Sequence, residues 1–324
     1  MPTIPLRPLG RSGLQVSPIC LGGNVFGWTV DEQVSHRLLD AWVDAGMNFV
    51  DTADVYSRWA PGHVGGESET IIGTWLARSG KRDRIVLATK VGKPMGDDEK
   101  GLSRAYIRRA VEASLGRLQT DVIDLYQSHD DDAGTPLEET MAAFAELVKE
   151  GKVRAIGASN FTAPRLADAI ATSERLGLPR YESLQPLYNV VDRAAYEDAL
   201  ESVCVDNGLG VINFYGLAAG FLTGKYRTKE DLGKSLRGAN AGKYLTERNL
   251  AILSGLDALA QKVGATTAQV ALAWQMARPS ITAPIASATS IAQLDGLVGA
   301  ARLRLDAASI ATIERLSAPA VAPA

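Results

Sequence analysis

An acid and a phenol five residues apart, Asp51 and Tyr56, follow the short apolar run Asn48-Phe49-Val50. Lys90 ends a second run, Leu87-Ala88-Thr89, and His129 follows a third, Val122 to Tyr126. A free phenol has a pKa near ~10 and is a poor acid at neutral pH. A neighbouring ammonium favours the phenolate and so is expected to lower that value. Asp51 could hold Lys90 charged and oriented, and His129 could hydrogen-bond and orient a carbonyl oxygen. Together the four residue types suit protonation of an oxygen while hydride reaches the adjoining carbon. No side chain donates hydride, so a nicotinamide cofactor is implied. Each residue also has a plainer reading: Asp51 as a helix cap, Tyr56 on the surface, Lys90 as a rim residue with its charge in water, and His129 as structural. For His36 and His63 only the plain reading applies.

Such side chains need a scaffold that brings distant runs to one rim. From Ile19 onward, short apolar runs alternate with amphipathic stretches of helical length. Ile19 to Leu21 precedes a helix pattern over 31–45, and Phe49-Val50 one over 67–77. Ile85 to Ala88 precedes 103–118, Val122 to Tyr126 precedes 136–148, and Val153 to Gly157 precedes 163–176. Ser183 to Gln185 precedes 193–205, Val211 to Tyr215 precedes 247–263 and 267–276, and Ile281 to Ile285 precedes 291–300. Eight strand–helix units are the number that closes a (β/α) barrel, and the alternation implies a parallel sheet. Gly10-Arg11-Ser12-Gly13 predicts an N-terminal hairpin, and the stretch 306–316 an extra C-terminal helix. Ser103 reads as an N-cap, Pro136 as a first helical residue, and Gly151 as a helix stop. The expected fold is thus α/β, one (β/α)8 barrel domain over residues 1–324. An Ala/Pro-rich tail from Ala318 is expected to fray.

Bulk properties fit a globular protein. Hydrophobic residues make up 46% of the 324 and charged residues 22%, with a net charge of −3. That charge leaves no footprint for nucleic acid or an anionic membrane. No apolar run is long enough to span a bilayer, and the opening Met1-Pro2-Thr3-Ile4-Pro5 lacks a signal-peptide pattern. Two cysteines, Cys20 and Cys204, lie in apolar surroundings and read as buried free thiols in a reducing, cytoplasmic compartment. Three histidines without ligand spacing argue against a zinc site.

Ends of parallel strands are where this architecture places chemistry. The rim would then collect Asp51, Lys90, His129, Ser159, Asn160, Gln185, Phe214 and Tyr215. Aromatic walls for a substrate could come from Phe26, Trp28, Trp59 and Phe161, with Asn24 on a neighbouring loop. Phe26 and Phe161 read equally well as packing. The cation-studded loop 225–245 is either a solvated surface or a cover for a phosphate-bearing ligand.

In order and spacing, several segments resemble the aldo-keto reductase superfamily over nearly the whole chain. They are residues 49–56, Ala88-Thr89-Lys90, Gln127-Ser128-His129-Asp130, Gly157-Ala158-Ser159-Asn160, Leu184 to Asn189, and Gly220 to Tyr226. The resemblance implies a TIM barrel holding NADP(H) across its mouth; neither G-x-G-x-x-G nor a P-loop is present. It implies a tetrad of Asp51, Tyr56, Lys90 and His129, with Tyr56 the general acid. It assigns Ser159, Asn160 and Gln185 to the nicotinamide carboxamide and Phe214 to stacking on the ring. Gly23, Asn24, Tyr215, Leu217, Gly224 and Lys225 are implied around the remainder of the cofactor. Ser287, Thr289 and Gln293 resemble a turn that binds the adenosine 2'-phosphate, which favours NADP(H) over NAD(H). Tyr215 stands where a serine is usual, Thr289 where an arginine is common, and Leu297 where an asparagine often meets adenine. The activity implied is NAD(P)H-dependent reduction of a sugar, aryl or small aliphatic carbonyl, or the reverse. Channel-associated relatives share these motifs, so a cofactor-binding regulatory subunit is the alternative. Substrate identity and oligomeric state are not legible.

Overall fold

A computed structural model describes residues 4–319. The start Met1-Pro2-Thr3 and the tail from Ala320 onward, on which the leader and fraying expectations partly rest, lie outside them. The strands are β1 (Arg7–Pro8), β2 (Gln15–Val16), β3 (Cys20–Gly22), β4 (Phe49–Asp51), β5 (Val86–Val91), β6 (Ile123–Ser128), β7 (Val153–Ser159), β8 (Tyr181–Gln185), β9 (Gly210–Val211) and β10 (Ile285–Ala286). The first helices are α1 (Glu32–Asp44), α2 (Glu67–Ser79), α3 (Arg104–Leu118), α4 (Leu137–Lys149), α5 (Ala163–Leu176), α6 (Ala194–Glu197) and α7 (Leu200–Asn207). They are followed by α8 (Gly238–Ala241), α9 (Glu247–Val263), α10 (Thr267–Ala277), α11 (Ile291–Arg302) and α12 (Ala307–Ser317).

Eight strands form one all-parallel sheet in the order β10-β3-β4-β5-β6-β7-β8-β9. Its two ends meet: the Thr282 and Ala283 amides donate to Val211 O, and the Ile285 amide donates to Asn213 O at 2.8 Å. The sheet is therefore the expected (β/α)8 barrel, with β1 and β2 as the expected antiparallel hairpin.

Side-chain alternation along each strand divides the core in two. Phe49, Ala88, Leu125, Ala155, Ile212 and Ala283 point inward and form a small inner cluster. Their neighbours Val50, Leu87, Tyr126, Ile156 and Val211 point outward into the larger layer beneath the helices. Leu9, Leu14 and Val16 of the hairpin join the inner cluster, so β1 and β2 plug the floor of the barrel. Above the apolar inner layer, the same alternation dictates that the next inward residues are Asp51, Lys90 and Gln127.

Helix starts follow from capping. Ser103 Oγ accepts the Tyr106 amide, and Thr162, Thr246, Thr266, Ser290 and Asp306 cap their helices in the same way. Pro136 sits one position earlier than expected, at the N-cap of α4. Three further expectations are corrected. The helix over 193–205 is two pieces, because the backbone leaves the helical region at Ala199 (φ −137°). The regular ladder of β9 ends at Val211, with one isolated bridge following at Phe214, and the Asn213 side-chain amide donates to Tyr188 O and Gln275 Oε1. β10 starts only at Ile285, since Pro284 has no N–H for the ladder. Both cysteines are buried and free, as expected. Among the described residues, no helix is long and apolar enough to cross a membrane.

Candidate active site

β4, β5, β6 and β8 bring their inward ends together at the mouth. Lys90 is fully buried and has committed all of its donors. Its Nζ donates to Asp51 Oδ2 at 2.6 Å, to Thr52 O at 2.7 Å and to Tyr56 Oη at 3.2 Å. The other Asp51 oxygen accepts from Gln127 Nε2 (3.2 Å) and Gln185 Nε2 (3.0 Å), and Gln185 Nε2 also reaches Gln127 Oε1. Asp51 is thus locked on both oxygens, and it fixes the ammonium.

Tyr56 reaches this cluster from the β4–α2 loop. Pairing of β4 with β5 continues into that loop through Thr52 N to Ala88 O and Asp54 N to Lys90 O. The Glu67 carboxylate gathers the amides of Ser57, Val64 and Gly65, and the Ser68 amide donates to Tyr56 O. A loop tied at both ends in this way aims the phenol with little freedom. The ring lies 4.8 Å from Lys90 Nζ, 5.8 Å edge-on to His129 and 5.5 Å edge-on to Trp59.

Burial works against the charge of Lys90, but Asp51 and Tyr56 outweigh it and hold the ammonium above its ordinary pKa. For Tyr56 the sequence expectation is reversed. Lys90 does pull its pKa down, but withdrawal from water and the nearby Asp51 push harder, and the net direction is up. The phenol therefore carries its proton throughout the neutral range. His129 is buried, its Nδ1 has no partner, and burial together with Lys90 and Lys93 keeps it well below its ordinary value. It is a neutral imidazole that could donate or accept one hydrogen bond, not a cation.

The other expected residues divide into groups. Ser159 Oγ donates to Gln185 O at 2.9 Å, and Asn160, in a left-handed conformation (φ 58°), donates to His129 O at 2.9 Å. Both border the tetrad, and the side-chain oxygens of Asn160 and Gln185 remain unclaimed. Gly23 lies against Ser68 and the Asp51 carbonyl, where a Cβ would meet both at about 3 Å. Asn24 Oδ1 accepts from Ser287 Oγ at 2.6 Å, joining the loops after β3 and β10. The Thr289 amide and hydroxyl both meet Gln293 Oε1, at the start of α11.

Phe214 and Tyr215 stand edge to face at 5.5 Å on the segment after β9. From there Tyr215, Ala218, Ala219, Gly220 and Gly224 all have positive φ, while Leu217 between them does not (φ −109°). Lys225 lies over the Tyr226 ring and Lys243 over that of Tyr215. Trp28 and Trp59 meet edge-on at 5.5 Å beside Tyr56, and Trp59 is 47% exposed. Phe26 and Phe161 are corrected to the packing reading. Both are buried, and Phe161 packs edge-on against Tyr181.

Sequence reasoning missed Gln127 and Glu67. Gln127 was legible in principle, since it sits two residues after Leu125 and pairs with Lys90 across the strands. Arg237 belongs to the cation-studded loop 225–245 noted in the sequence. Its guanidinium loses affinity for its proton through burial, and it senses Tyr215, Tyr226 and Tyr56.

A family model described as "Aldo/keto reductase family" matches residues 18–318. The chain belongs to the aldo/keto reductase family. It is 40% identical to the Bacillus subtilis "Uncharacterized oxidoreductase YrpG", over 92% of this chain and 91% of that one. It is 33% identical to "Aldo-keto reductase dtxS3" of Metarhizium robertsii, over 96% and 90%. It is 34% identical to a "Probable voltage-gated potassium channel subunit beta" of Arabidopsis thaliana, over 89% and 88%. Membership together with the oxidoreductase relatives makes this aldo/keto reductase a carbonyl-reducing oxidoreductase.

Proposed function

We propose that the chain reduces an aldehyde or ketone to the alcohol at the expense of NAD(P)H, or runs the reverse, with Tyr56 as general acid. The observation that carries this is the Lys90 ammonium, locked by Asp51 and donating to Tyr56 Oη. Tyr56 holds the proton to be given. As it leaves, Lys90 stabilises the phenolate that forms, so the assistance grows toward the transition state. Neutral His129 hydrogen-bonds the substrate oxygen and sets it beside Tyr56. The nicotinamide, when bound, supplies the hydride.

The residues present fit such a dinucleotide. The free oxygens of Asn160 and Gln185 suit a carboxamide N–H, Phe214 and Tyr215 offer aromatic faces, and cations line the far side. Arg227 and Lys234 are paired with Asp257 and Asp231, whereas Lys225, Arg237 and Lys243 have no carboxylate partner among the described residues. These three suit phosphates. Ser287, Thr289 and Gln293 at the α11 start favour NADP(H) over NAD(H). Trp28 and Trp59 would form the substrate wall for a sugar, aryl or small aliphatic carbonyl. Two buried thiols fit a reducing, cytoplasmic setting.

The test is Tyr56→Phe. Turnover of NADPH with a carbonyl panel should fall by about 10²–10⁴-fold, while quenching of tryptophan fluorescence by NADPH persists. Full turnover in that variant refutes the assigned acid. The name of the Arabidopsis relative supports a second reading, a cofactor-retaining regulatory subunit. Tight NADPH binding with no turnover on any carbonyl would favour it.

A further inference from the structure

Behind the Tyr56 loop lies a second ionisable cluster that proton transfer to substrate does not use. Asp54 is 1% exposed. Its Oδ1 accepts the Val55 amide at 2.7 Å, and its Oδ2 is buried with no partner. Fully buried Glu69, from α2, accepts Thr89 Oγ1 at 2.6 Å and Arg117 Nε at 2.7 Å. A second orphan, Tyr126 Oη of β6, is buried in the same region, and Tyr106 of α3 also senses Asp54. The groups facing Asp54 are thus Glu69, Arg117, Lys90, Tyr106 and Tyr126. Both cations among them are engaged: Arg117 by Glu69 and Lys90 by Asp51. No cation is left over for a second carboxylate. Two acids sharing a dry site with one guanidinium keep a proton on one of them.

We propose that Asp54 is a positioning residue, held as the neutral acid, whose ionisation loosens the loop that aims Tyr56. The loop is where such a change would be felt. The Asp54 amide donates to Lys90 O, and its carboxyl caps the turn two residues before the phenol. An anion appearing on Oδ2 would have to draw in water or a cation, either Lys90 from Asp51 or Arg117 from Glu69. Each route disturbs the geometry at Tyr56 Oη. Burial first, and the charge of Glu69 second, push the Asp54 carboxyl up to about 8. The consequence for catalysis rests on the reading of Tyr56 as the acid; the proton on Asp54 does not.

The sign of the linkage is fixed. Between the unfolded carboxyl value near ~4 and about 8, the folded chain holds a proton that the unfolded chain has lost. Asp54 therefore costs stability increasingly as pH rises through that window, and no more above it. Asp54→Asn, which keeps the neutral shape, should gain in Tm over the wild type from about pH 4 to about pH 8 and then hold a constant lead.

The experiment combines three measurements on the full chain. Carboxyl carbon NMR of aspartate-labelled wild type should show one aspartate titrating on the alkaline side of neutrality. Hydrogen exchange of residues 52–60 should rise across pH 7 to 9 in the wild type relative to Asp54→Asn at the same pH. The alkaline fall in carbonyl reduction should shift to higher pH in Asp54→Asn, with turnover near pH 7 within about twofold. If every aspartate titrates in the acid range, the proposal is overturned, and that result needs no variant to fold. Equal exchange in the two proteins overturns it as well. Absent turnover with the NMR and exchange results intact refutes the carbonyl-reductase reading and leaves the loop device standing. Turnover with an unshifted profile does the opposite.

Discussion

Between β4 and β8 the barrel mouth is filled by side chains that hold one another; between β9 and β10 it is lined by irregular backbone and by cations of which several have no carboxylate partner among the described residues. On the first side Asp51 receives three donors, Lys90 makes three contacts, and the Tyr56 loop is tied at both ends. On the second side the strands are two residues long, five positions from Tyr215 to Gly224 have positive φ, and Lys225 and Arg237 face no carboxylate among the described residues. The difference separates two tasks. A proton donor must be aimed before the substrate arrives, since misplacement of even an ångström is expensive. A charged ligand can complete a site of its own accord, because each phosphate supplies the counter-charge that the protein leaves out. On the proposed function, preorganisation is spent where the reaction occurs, and complementarity is left to the ligand elsewhere.

The sharpest way to break that contrast is Lys90→Met. It removes the donor to Tyr56 and leaves Asp51 buried with only two amide partners. Loss of one member of a buried pair costs about 3–5 kcal/mol, so a large fall in Tm should accompany loss of turnover. Tyr56→Phe attacks the same side but removes only the proposed proton donor. Turnover should fall by about 10²–10⁴-fold with Tm almost unchanged, because no buried charge loses its partner. Urea unfolding and steady-state rates on both variants check the pair. If the two lower stability equally, the ammonium is not anchored as described.

The first side was far more legible in the sequence than the second. Asp51, Lys90 and Gln185 end apolar runs, and a period of two then fixes which way they face. The eight units, the hairpin and the Ser103 cap follow from local pattern alone. What escaped depends on things that patterns do not encode. The direction of the Tyr56 shift is a contest between Lys90 and desolvation, and burial cannot be summed from a motif. Phe26 and Phe161 lie next to the rim in sequence yet turn into the core. The Asn213 side-chain amide finds its partners, Tyr188 O and Gln275 Oε1, only through the tertiary fold.

The second side should yield smaller and more graded effects. Lys225→Ala and Arg237→Ala each remove one charge-assisted partner for phosphate, worth about 1.5–3 kcal/mol. NADPH affinity should fall by roughly tenfold to a hundredfold in each, with little change in Tm, since neither cation supports a carboxylate. Rising salt should weaken NADPH binding to the wild type more steeply than to either variant. Unchanged affinity in both would mean that these cations serve a solvated surface and that the contrast between the two sides is false.

The smallest effect is expected at Thr289, and there the prediction is a gain. Its amide and hydroxyl are both spent on Gln293 Oε1, at the N-terminal turn of α11. The helix start already offers N–H groups to an anion, but no guanidinium stands beside it. Thr289→Arg would add a fork suited to a phosphate, at a partly exposed position where screening limits the benefit to about 1 kcal/mol. The ratio of NADPH to NADH efficiency should therefore rise by about fivefold. Reading a ratio matters, because freeing Gln293 from Thr289 would alter binding of both dinucleotides through their shared adenosine. A common change cancels, and only the 2'-phosphate remains. A ratio that stays flat, with both efficiencies shifted together, would put that phosphate elsewhere on the rim.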